Sequence, residues 1–353
     1  MKILIYTDLH CSYNSSILPL YSGKYSKFTT RLQMIIDTGK WISDIAKEQK
    51  VDMIVNGGDT FDSILVKAEE LNAISEFFKS FESLDIPHIV IVGNHEKVND
   101  TFNGSEILSG FKNVSVYKEP TKINEYLSVL PYMESDQITN DLLKSISNQL
   151  LVSHIDIQGS CLRDSYILDF GVNPELLAEH FKFTANGHLH TAEHLETSKN
   201  IVWNIGGVSS ISFVDNQQYH PSIVIYDTDT NSCTRYINPH SILFRKFSID
   251  TVKDLLDILR LNLDNKYRYA VTIKYSNYDQ RSELQDILDK DTKLIAFKLI
   301  SNFTDTAIES STAQLDLSTE LSSLDIKSKF EEFLDTVDLK YDRKDYTNIL
   351  EDL

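Results

Sequence analysis

Cysteine is scarce in this chain: Cys11, Cys161 and Cys233 are the whole complement. An odd number at wide spacing argues against a disulfide framework and against a cysteine-based zinc site. A reducing cytoplasm fits. Positive charge is also short, with 34 Lys and Arg against 52 Asp and Glu, a net charge of −18. Phosphate contacts need Lys and Arg, so this balance taken alone argues against a nucleic-acid binder. It is not decisive, because carboxylates that hold divalent cations are part of the count. A local basic patch or a partner subunit can supply the grip on DNA. Long apolar runs are missing too: none approaches the roughly 20 residues that span a bilayer, so no membrane association is expected. The first six residues lack a signal peptide's apolar stretch and small-residue cleavage site, and read instead as a buried strand. There is no internal repeat.

What is present is ordinary for a globular protein, with 41% hydrophobic and 24% charged residues. A length of 353 residues allows one large domain with appendages. Residues 3–7 are an apolar strand, after which Leu32, Ile35, Gly39, Ile42 and Ala46 share one helical face. Residues 51–55 are the next strand and run into Asn56-Gly57-Gly58-Asp59. A second helix is predicted over 66–84, carrying Leu71, Ile74, Phe77, Phe78 and Phe81. A third buried strand, 88–92, leads straight into Gly93-Asn94-His95-Glu96. This βαβαβ rhythm implies an α/β fold with helices on a largely parallel sheet. Later strands at 126–130, 149–153, 183–185, 201–205 and 223–227 imply a second sheet, mixed or antiparallel.

From Ser241 the pattern changes. Strand-like 242–249, helical 252–261, strand-like 267–275, helical 280–288 and strand-like 294–300 make a compact α+β unit. The expected division is therefore a main domain over 1–240, a small domain over 241–300, a Ser/Thr-rich linker over 301–323 and a helical tail over 324–353. In the tail, Ile326, Phe330, Phe333 and Val337 fall on one helical face, and Tyr346, Ile349, Leu350 and Leu353 make a second stripe. Helices of about three turns are marginal alone in water, so these faces are expected to dock on a partner or fold back on the main domain.

Five short strings carry chemistry: Asp8-Leu9-His10, Gly58-Asp59, Gly93-Asn94-His95-Glu96, His154, and Gly187-His188-Leu189-His190. Nearly all follow a predicted strand, where α/β sheets build ligand sites. Carboxylate, imidazole and amide without thiolate suit divalent Mn, Fe, Zn or Mg. In an extended segment, residues i and i+2 point to the same side, so Asp8 and His10 are expected to bind one ion together. His188 and His190 can serve one ion each, and Asp59 can bridge the two. Two ions about 3.5–4 Å apart clamp a phosphodiester and activate water near neutral pH.

In this order the strings resemble the calcineurin-like metallophosphoesterase superfamily, over about residues 1–240. The resemblance implies a two-sheet sandwich flanked by helices. It implies one ion on Asp8, His10, Asp59 and His190, and another on Asp59, Asn94, His154 and His188. His95 would be the catalytic histidine, stabilising or protonating the departing 3′-oxygen. Asp62, three residues after Asp59, would pair with His95 and hold its ring. Gly57-Gly58-Asp59-Thr60-Phe61-Asp62, the Gly93–Glu96 string and the small C-terminal unit narrow the likeness to SbcD and its phage and eukaryotic counterparts, nuclease subunits of double-strand-break repair complexes. Glu96 stands where Asp is common in that family. This narrower resemblance implies a manganese-dependent 3′-to-5′ exonuclease and single-strand endonuclease. It also implies a cap that positions DNA, a tail that docks on an SbcC-like SMC-family ATPase, and a homodimer.

The loop after the first strand carries Tyr21, Lys24, Tyr25, Lys27, Phe28 and Arg31, basic residues among aromatics, and reads either as a DNA contact or as a solvated loop leading into a helix. The phenylalanines of 66–84 read either as a homodimer contact or as core. His88 reads as structural. His180, His220 and His240 have no partner pattern, and His194 reads as a support for the site or as a surface residue. Two rivals share the strings: a phosphoesterase acting on a small nucleotide or phosphoprotein, and a catalytically silent DNA-end-binding scaffold. Every expected ligand and His95 are present, which speaks against the silent form.

Overall fold

The computed structural model describes residues 1–301, apart from 14–17, 19–26, 100–101, 164–165, 211–219, 262, 265 and 277–279. Lys24, Tyr25, the linker beyond residue 301 and the tail residues Ile326, Phe330, Phe333 and Val337 lie outside the described residues. The first half runs β1 (Lys2–Tyr6), α1 (Thr30–Glu48), β2 (Met53–Asn56), α2 (Ala68–Lys79), β3 (His88–Ile91), β4 (Val114–Tyr117), β5 (Thr121–Lys122), β6 (Leu127–Leu130), α3 (Asn140–Ser145) and β7 (Asn148–Ser153). It continues with β8 (Cys161–Arg163), β9 (Tyr166–Ile167), α4 (Pro174–His180), β10 (Phe181–Asn186), β11 (Glu193–Leu195), β12 (Ile201–Asn204), β13 (Ser222–Asp227) and β14 (Ser232–Ile237). The last described elements are β15 (Ile242–Ile249), α5 (Val252–Leu261), β16 (Arg268–Tyr275), α6 (Arg281–Lys290) and β17 (Leu294–Ser301).

Two six-stranded sheets dominate. The first has the order β14-β13-β1-β2-β3-β4 and is parallel from β1 to β4, with β13 antiparallel to both neighbours. The second has the order β11-β12-β10-β7-β6-β5, parallel from β12 to β6 with antiparallel edges. It is therefore mixed. Strand alternation explains the layering. Ile3 and Ile5 meet Leu150, Val152, Phe183 and Ala185 in the core between the sheets. Leu4 and Tyr6 on the other face belong to the core under α1 and α2. The outer face of the second sheet is covered by α3 and α4 through Leu143, Leu177 and Ala178. The result is a sandwich of two sheets flanked by helices, with β2, β3 and β6 of the parallel centre buried along their whole length on both faces.

Two expectations change in detail. The helix predicted over 66–84 stops at Lys79. Ser80 caps it with its hydroxyl on the Phe77 carbonyl, at 2.6 Å, and the chain continues in tight turns that still bury Phe81. Phe77, Phe78 and Phe81 are all core, packed on one another and on His88, so they offer no dimer contact. The unit after Ser241 has three parallel strands in the order β15-β16-β17 joined by α5 and α6, a βαβαβ unit rather than segregated α+β. One face of its sheet packs on Leu255, Leu259, Leu284 and Leu288 of its helices. The other lays Ile242, Phe244 and Ala270 against Leu18 and Met34, the latter from α1. No helix among the described residues is long and apolar enough to cross a membrane.

Candidate metal centre

The loops that follow β1, β2 and β3 leave the first sheet side by side. Backbone bonds continue beyond the strands: Gly57 N–H donates to Tyr6 O (2.7 Å), Asp8 N–H to Gly58 O (3.1 Å) and His10 N–H to Asp59 O (2.9 Å). Asp8 and Asp59 are thereby fixed against each other. Asp8, His10, Asp59 and His188 all have positive φ, of 52°, 45°, 51° and 71°. Asp8 and His10 therefore do not converge through an extended backbone, as their spacing predicted. They converge because left-handed residues fold the loop, leaving His10 Nε2 3.7 Å from Asp8 Oδ1. Gly93 is required by close approach, since a β-carbon there would run into Asp59 Oδ1.

The second sheet closes the site. His154, following β7, donates from Nδ1 to the Gly57 carbonyl (2.8 Å), which turns Nε2 toward Asn94 Oδ1 (3.0 Å) and Asp59 Oδ2 (3.2 Å). His188, following β10, sets Nδ1 2.9 Å from Asn94 Oδ1. His190 Nε2 lies 3.0 Å from His10 Nε2 and 3.8 Å from Asp8 Oδ1. Three overlapping groups of side chains could each hold an ion: Asp8, His10 and His190; His10, Asp59 and His95; and Asp59, His154 and His188. Asp59 and His10 are the shared members.

These residues fit a divalent cation on two observations. Asp8 Oδ2 accepts from Thr7 Oγ1 and the His188 N–H, whereas Oδ1 is buried without a hydrogen-bond partner. An orphaned carboxylate oxygen in a buried loop is costly unless a cation faces it. The facing nitrogens of His10 and His190 tell the same story, because two imidazole lone pairs at 3.0 Å repel unless a proton or an ion lies between them. Without an ion, protons do that work. Burial alone would lower His10, but the carboxylates of Asp62 and Asp8 outweigh it and push the imidazole up to about 10. For His154, burial is likewise outweighed by Asp59, which raises it to about 9. Burial would raise Asp59, yet the imidazoles of His154, His10 and His95 hold it far below the usual carboxylate range.

His95 is exposed beside this cluster. Its backbone N–H donates to Asp59 Oδ1 (3.1 Å), and its ring stands edge-on to His10 at 4.7 Å. The expected pairing with the Asp62 carboxylate is not made. His95 Nδ1 meets the Asp62 backbone carbonyl at 2.8 Å, while Asp62 Oδ1 takes His10 Nδ1 at 3.1 Å. Asp62 thus orients a candidate ligand with its side chain and His95 with its main chain.

Arg31 is also corrected. It is 3% exposed, and its guanidinium donates to the carbonyls of Leu9, His10 and Ser210, so it braces the β1 loop and is not presented to DNA. Lys27 is exposed, with its ammonium 4.9 Å from the Phe28 ring. His88 is buried against the Tyr6 hydroxyl (2.9 Å) and has the structural place expected of it. His194 stacks on Trp203 at 4.6 Å, a surface packing role.

Sequence reasoning missed three supports. The fully buried Glu96 carboxylate accepts from Phe61 N–H (2.9 Å) and Gly93 N–H (2.8 Å), tying the β2 and β3 loops together. Burial and nearby Asp59 raise it to about 7. Asp156 takes His188 Nε2 at 3.2 Å, leaving Nδ1 for the site, and its position two residues after His154 was the available signal. Asn186 bonds Ser153 Oγ, Ile155 and Asn204, locking the β7 and β10 loops in one buried network.

Comparison with known proteins agrees with this geometry. The sequence pattern of the calcineurin-like phosphoesterase family matches residues 1–214. A DNA double-strand break repair protein Mre11 from Sulfurisphaera tokodaii is 25% identical over 274 residues, covering 74% of this chain. The chain spans 64% of that relative's length. Among solved structures, TT1561 of Thermus thermophilus is 9% identical, with 67% of this chain and 98% of that one covered at a TM-score of 0.39. A dimetal phosphatase from Danio rerio is 11% identical, with coverage of 64% and 91% and a TM-score of 0.37.

Proposed function

The chain belongs to the calcineurin-like phosphoesterase family, and from that premise we propose that it is a two-metal DNA nuclease of the SbcD and Mre11 kind. The carrying observation is the convergence of five loops from both sheets on Asp59, with the exposed His95 alongside. The likeness to a repair protein supports DNA as substrate, because it runs over 274 residues, more than the 214 of the phosphoesterase match.

Asp8, His10, Asp59 and His190 would hold one divalent ion, and Asp59, Asn94, His154 and His188 the other, with Mn2+ the expected metal. When bound, such ions supply charge neutralisation on the phosphate and activation of water. The chain does the rest. The loops hold the scissile phosphate between the two ligand groups, and Glu96 and Asn186 keep those loops from spreading. His95, donating its Nδ1–H to the Asp62 carbonyl, keeps Nε2 for the departing 3′-oxygen and, as the imidazolium, would stabilise or protonate it.

On the same reading the protein is a cytoplasmic homodimer partnered by an SMC-family ATPase, which the tail residues Ile326, Phe330, Phe333 and Val337 would bind. The dimer contact falls on apolar side chains left exposed by the β2 and β3 loops, Ile64, Leu65, Val98 and Phe102, with Leu65 the most open at 81%. Leu65→Glu should then sediment as a monomer; an unchanged dimer would move the contact elsewhere. Incubation with end-labelled duplex DNA and Mn2+, with and without an SbcC-like ATPase, tests the main reading. Hydrolysis of a small chromogenic diester with DNA left intact under both conditions would overturn it.

A further inference from the structure

The β1 loop is held from two sides. On one side its N–H groups go to the β2 loop: Asp8, His10 and Cys11 donate to the carbonyls of Gly58, Asp59 and Thr60. On the other side its carbonyls are met by different partners. Thr7 O accepts from Val208 N–H (2.9 Å) and Leu9 O from Ser209 Oγ (3.0 Å). His10 O accepts from Arg31 Nη2 (3.2 Å), which also reaches Leu9 O at 3.4 Å. Leu9 and His10 are buried, and buried carbonyls need donors. The left-handed residues Asp8 and His10 bend the loop out of the strand ladder that would otherwise supply them.

Val208 and Ser209 belong to a strap, residues 205–210, that leaves β12 and is buried throughout. Ile205 N–H donates to Asn186 O (3.0 Å) and Gly207 N–H to His190 O (3.3 Å). The strap therefore crosses the ligand loop after β10 before it reaches the one after β1. It ends beside the small C-terminal unit, where Ser210 N–H donates to Ser241 Oγ (3.1 Å), one residue before β15. Arg31 joins strap to loop: Nη1 donates to Ser210 O at 2.6 Å while Nη2 serves Leu9 and His10. A guanidinium is a planar fork whose nitrogens are set together, whereas an ammonium offers its donors from one point and does not reproduce that reach.

We propose that Arg31 is a positioning residue that ties His10 to the start of the C-terminal unit through the 205–210 strap, so that a shift of that unit loosens the ion held by Asp8, His10 and His190. The proposal rests on the two-metal reading of the centre. It gives the unit after Ser241 an influence on the metal ligands that needs no contact with substrate.

Hydrogen exchange of the metal-free full chain reads the tie directly, because the N–H groups of Asp8, His10 and Cys11 exchange when the loop lets go of its neighbour. Arg31→Lys keeps the charge and loses the fork. It should speed exchange over residues 7–11 about tenfold, equivalent to one buried hydrogen bond, and leave residues 88–91 of β3 unchanged. The Ser241 hydroxyl bonds Ser210 and not the loop, yet Ser241→Ala should speed exchange in the same segment and add nothing on the Arg31→Lys background. Ser209→Ala removes one donor to Leu9 O and supplies the same readout if Arg31→Lys does not fold. Calorimetry with Mn2+ should show one of two binding steps about tenfold weaker in Arg31→Lys and the other unchanged. Unchanged exchange in Ser241→Ala, additive effects in the double variant, or exchange raised evenly through both sheets would overturn the proposal. Two Mn2+ steps indifferent to Arg31→Lys would overturn it as well. Wild type binding fewer than two Mn2+, with the exchange pattern as expected, would sink the two-metal reading and leave the tie standing.

Discussion

Asp8, His10, Asp59 and His188 each hold a left-handed backbone, a conformation that costs a residue with a β-carbon on the order of 1–3 kcal/mol. Such strain persists only where the surroundings over-determine it. Here the cross-tied loops and buried carboxylates do so, and the strain lies in the residues that face one another across the site. Asp62 and His95 separate two kinds of contribution. The Asp62 carboxylate acts on His10, so Asp62→Asn should weaken metal binding about 10- to 100-fold, as loss of a ligand-orienting carboxylate does. Its backbone carbonyl remains to hold His95. His95→Ala should do the opposite, keeping the metals and losing turnover. Calorimetry with Mn2+ beside a nuclease assay reads both. Normal metal affinity in the Asp62 variant would return that carboxylate to His95.

The imidazoles also set a pH dependence. His10 and His154, raised to about 10 and about 9, are protonated in the metal-free protein at neutral pH. Raised pKa values mean that their protonated forms stabilise the folded chain below about pH 6.5, the ordinary value, and that this contribution is lost as pH climbs through 9 to 10. A metal must displace those protons. Mn2+ affinity should therefore rise between pH 6.5 and 9, about tenfold per unit for each proton released. Calorimetric titration in buffers of different ionisation enthalpy counts the protons; an affinity independent of pH would show the imidazoles already neutral.

At the scale of elements, α1 and α2 touch through a glycine. A β-carbon built on Gly39 would lie 2.6 Å from Phe77 Cδ2 and 3.2 Å from its Cα. Gly39→Ala gains about 1 kcal/mol of helix propensity but overpacks the contact at about 1–3 kcal/mol. Because the backbone of α2 cannot yield, the clash should win, for a net loss of up to about 2 kcal/mol by denaturant unfolding. A more stable variant would mean that the helices can separate. The elements themselves were readable because the strands are buried on both faces and read as apolar runs. Their ends were less so: α2 stops where Ser80 bonds back to Phe77, and Ser80 looks no different in sequence from a helical surface residue. The ligand strings were legible by residue type, yet nothing in Asp8-Leu9-His10 announces two left-handed residues. Arg31 was misread for a related reason. A basic residue among aromatics has the same sequence signature whether it faces DNA or a carbonyl 179 residues away.

At the scale of the whole molecule, the net charge of −18 bears on how the proposed nuclease would hold DNA. Two divalent ions offset only part of it, and the phosphate backbone is repelled by the remainder. Arg31, turned inward, does not help. On the proposed nuclease reading, cutting of duplex DNA would need a positive surface from elsewhere, and the proposed partner on the tail would be the economical source. Ile326, Phe330, Phe333 and Val337 repeat at steps of four, three and four, the spacing of anchors that enter a hydrophobic groove. Deleting residues 324–353 should abolish co-purification with an SbcC-like ATPase and remove the stimulation of duplex cutting that the ATPase provides. Metal binding and small-diester hydrolysis should persist, because every candidate ligand lies between Asp8 and His190. The charge argument adds a second readout. Duplex binding by the chain alone should be weak and change little with salt, whereas the complex should show the steep salt dependence of many phosphate contacts. Association retained by the truncated chain, or an isolated chain that binds duplex with a steep salt slope, would remove the partner from the account of DNA binding.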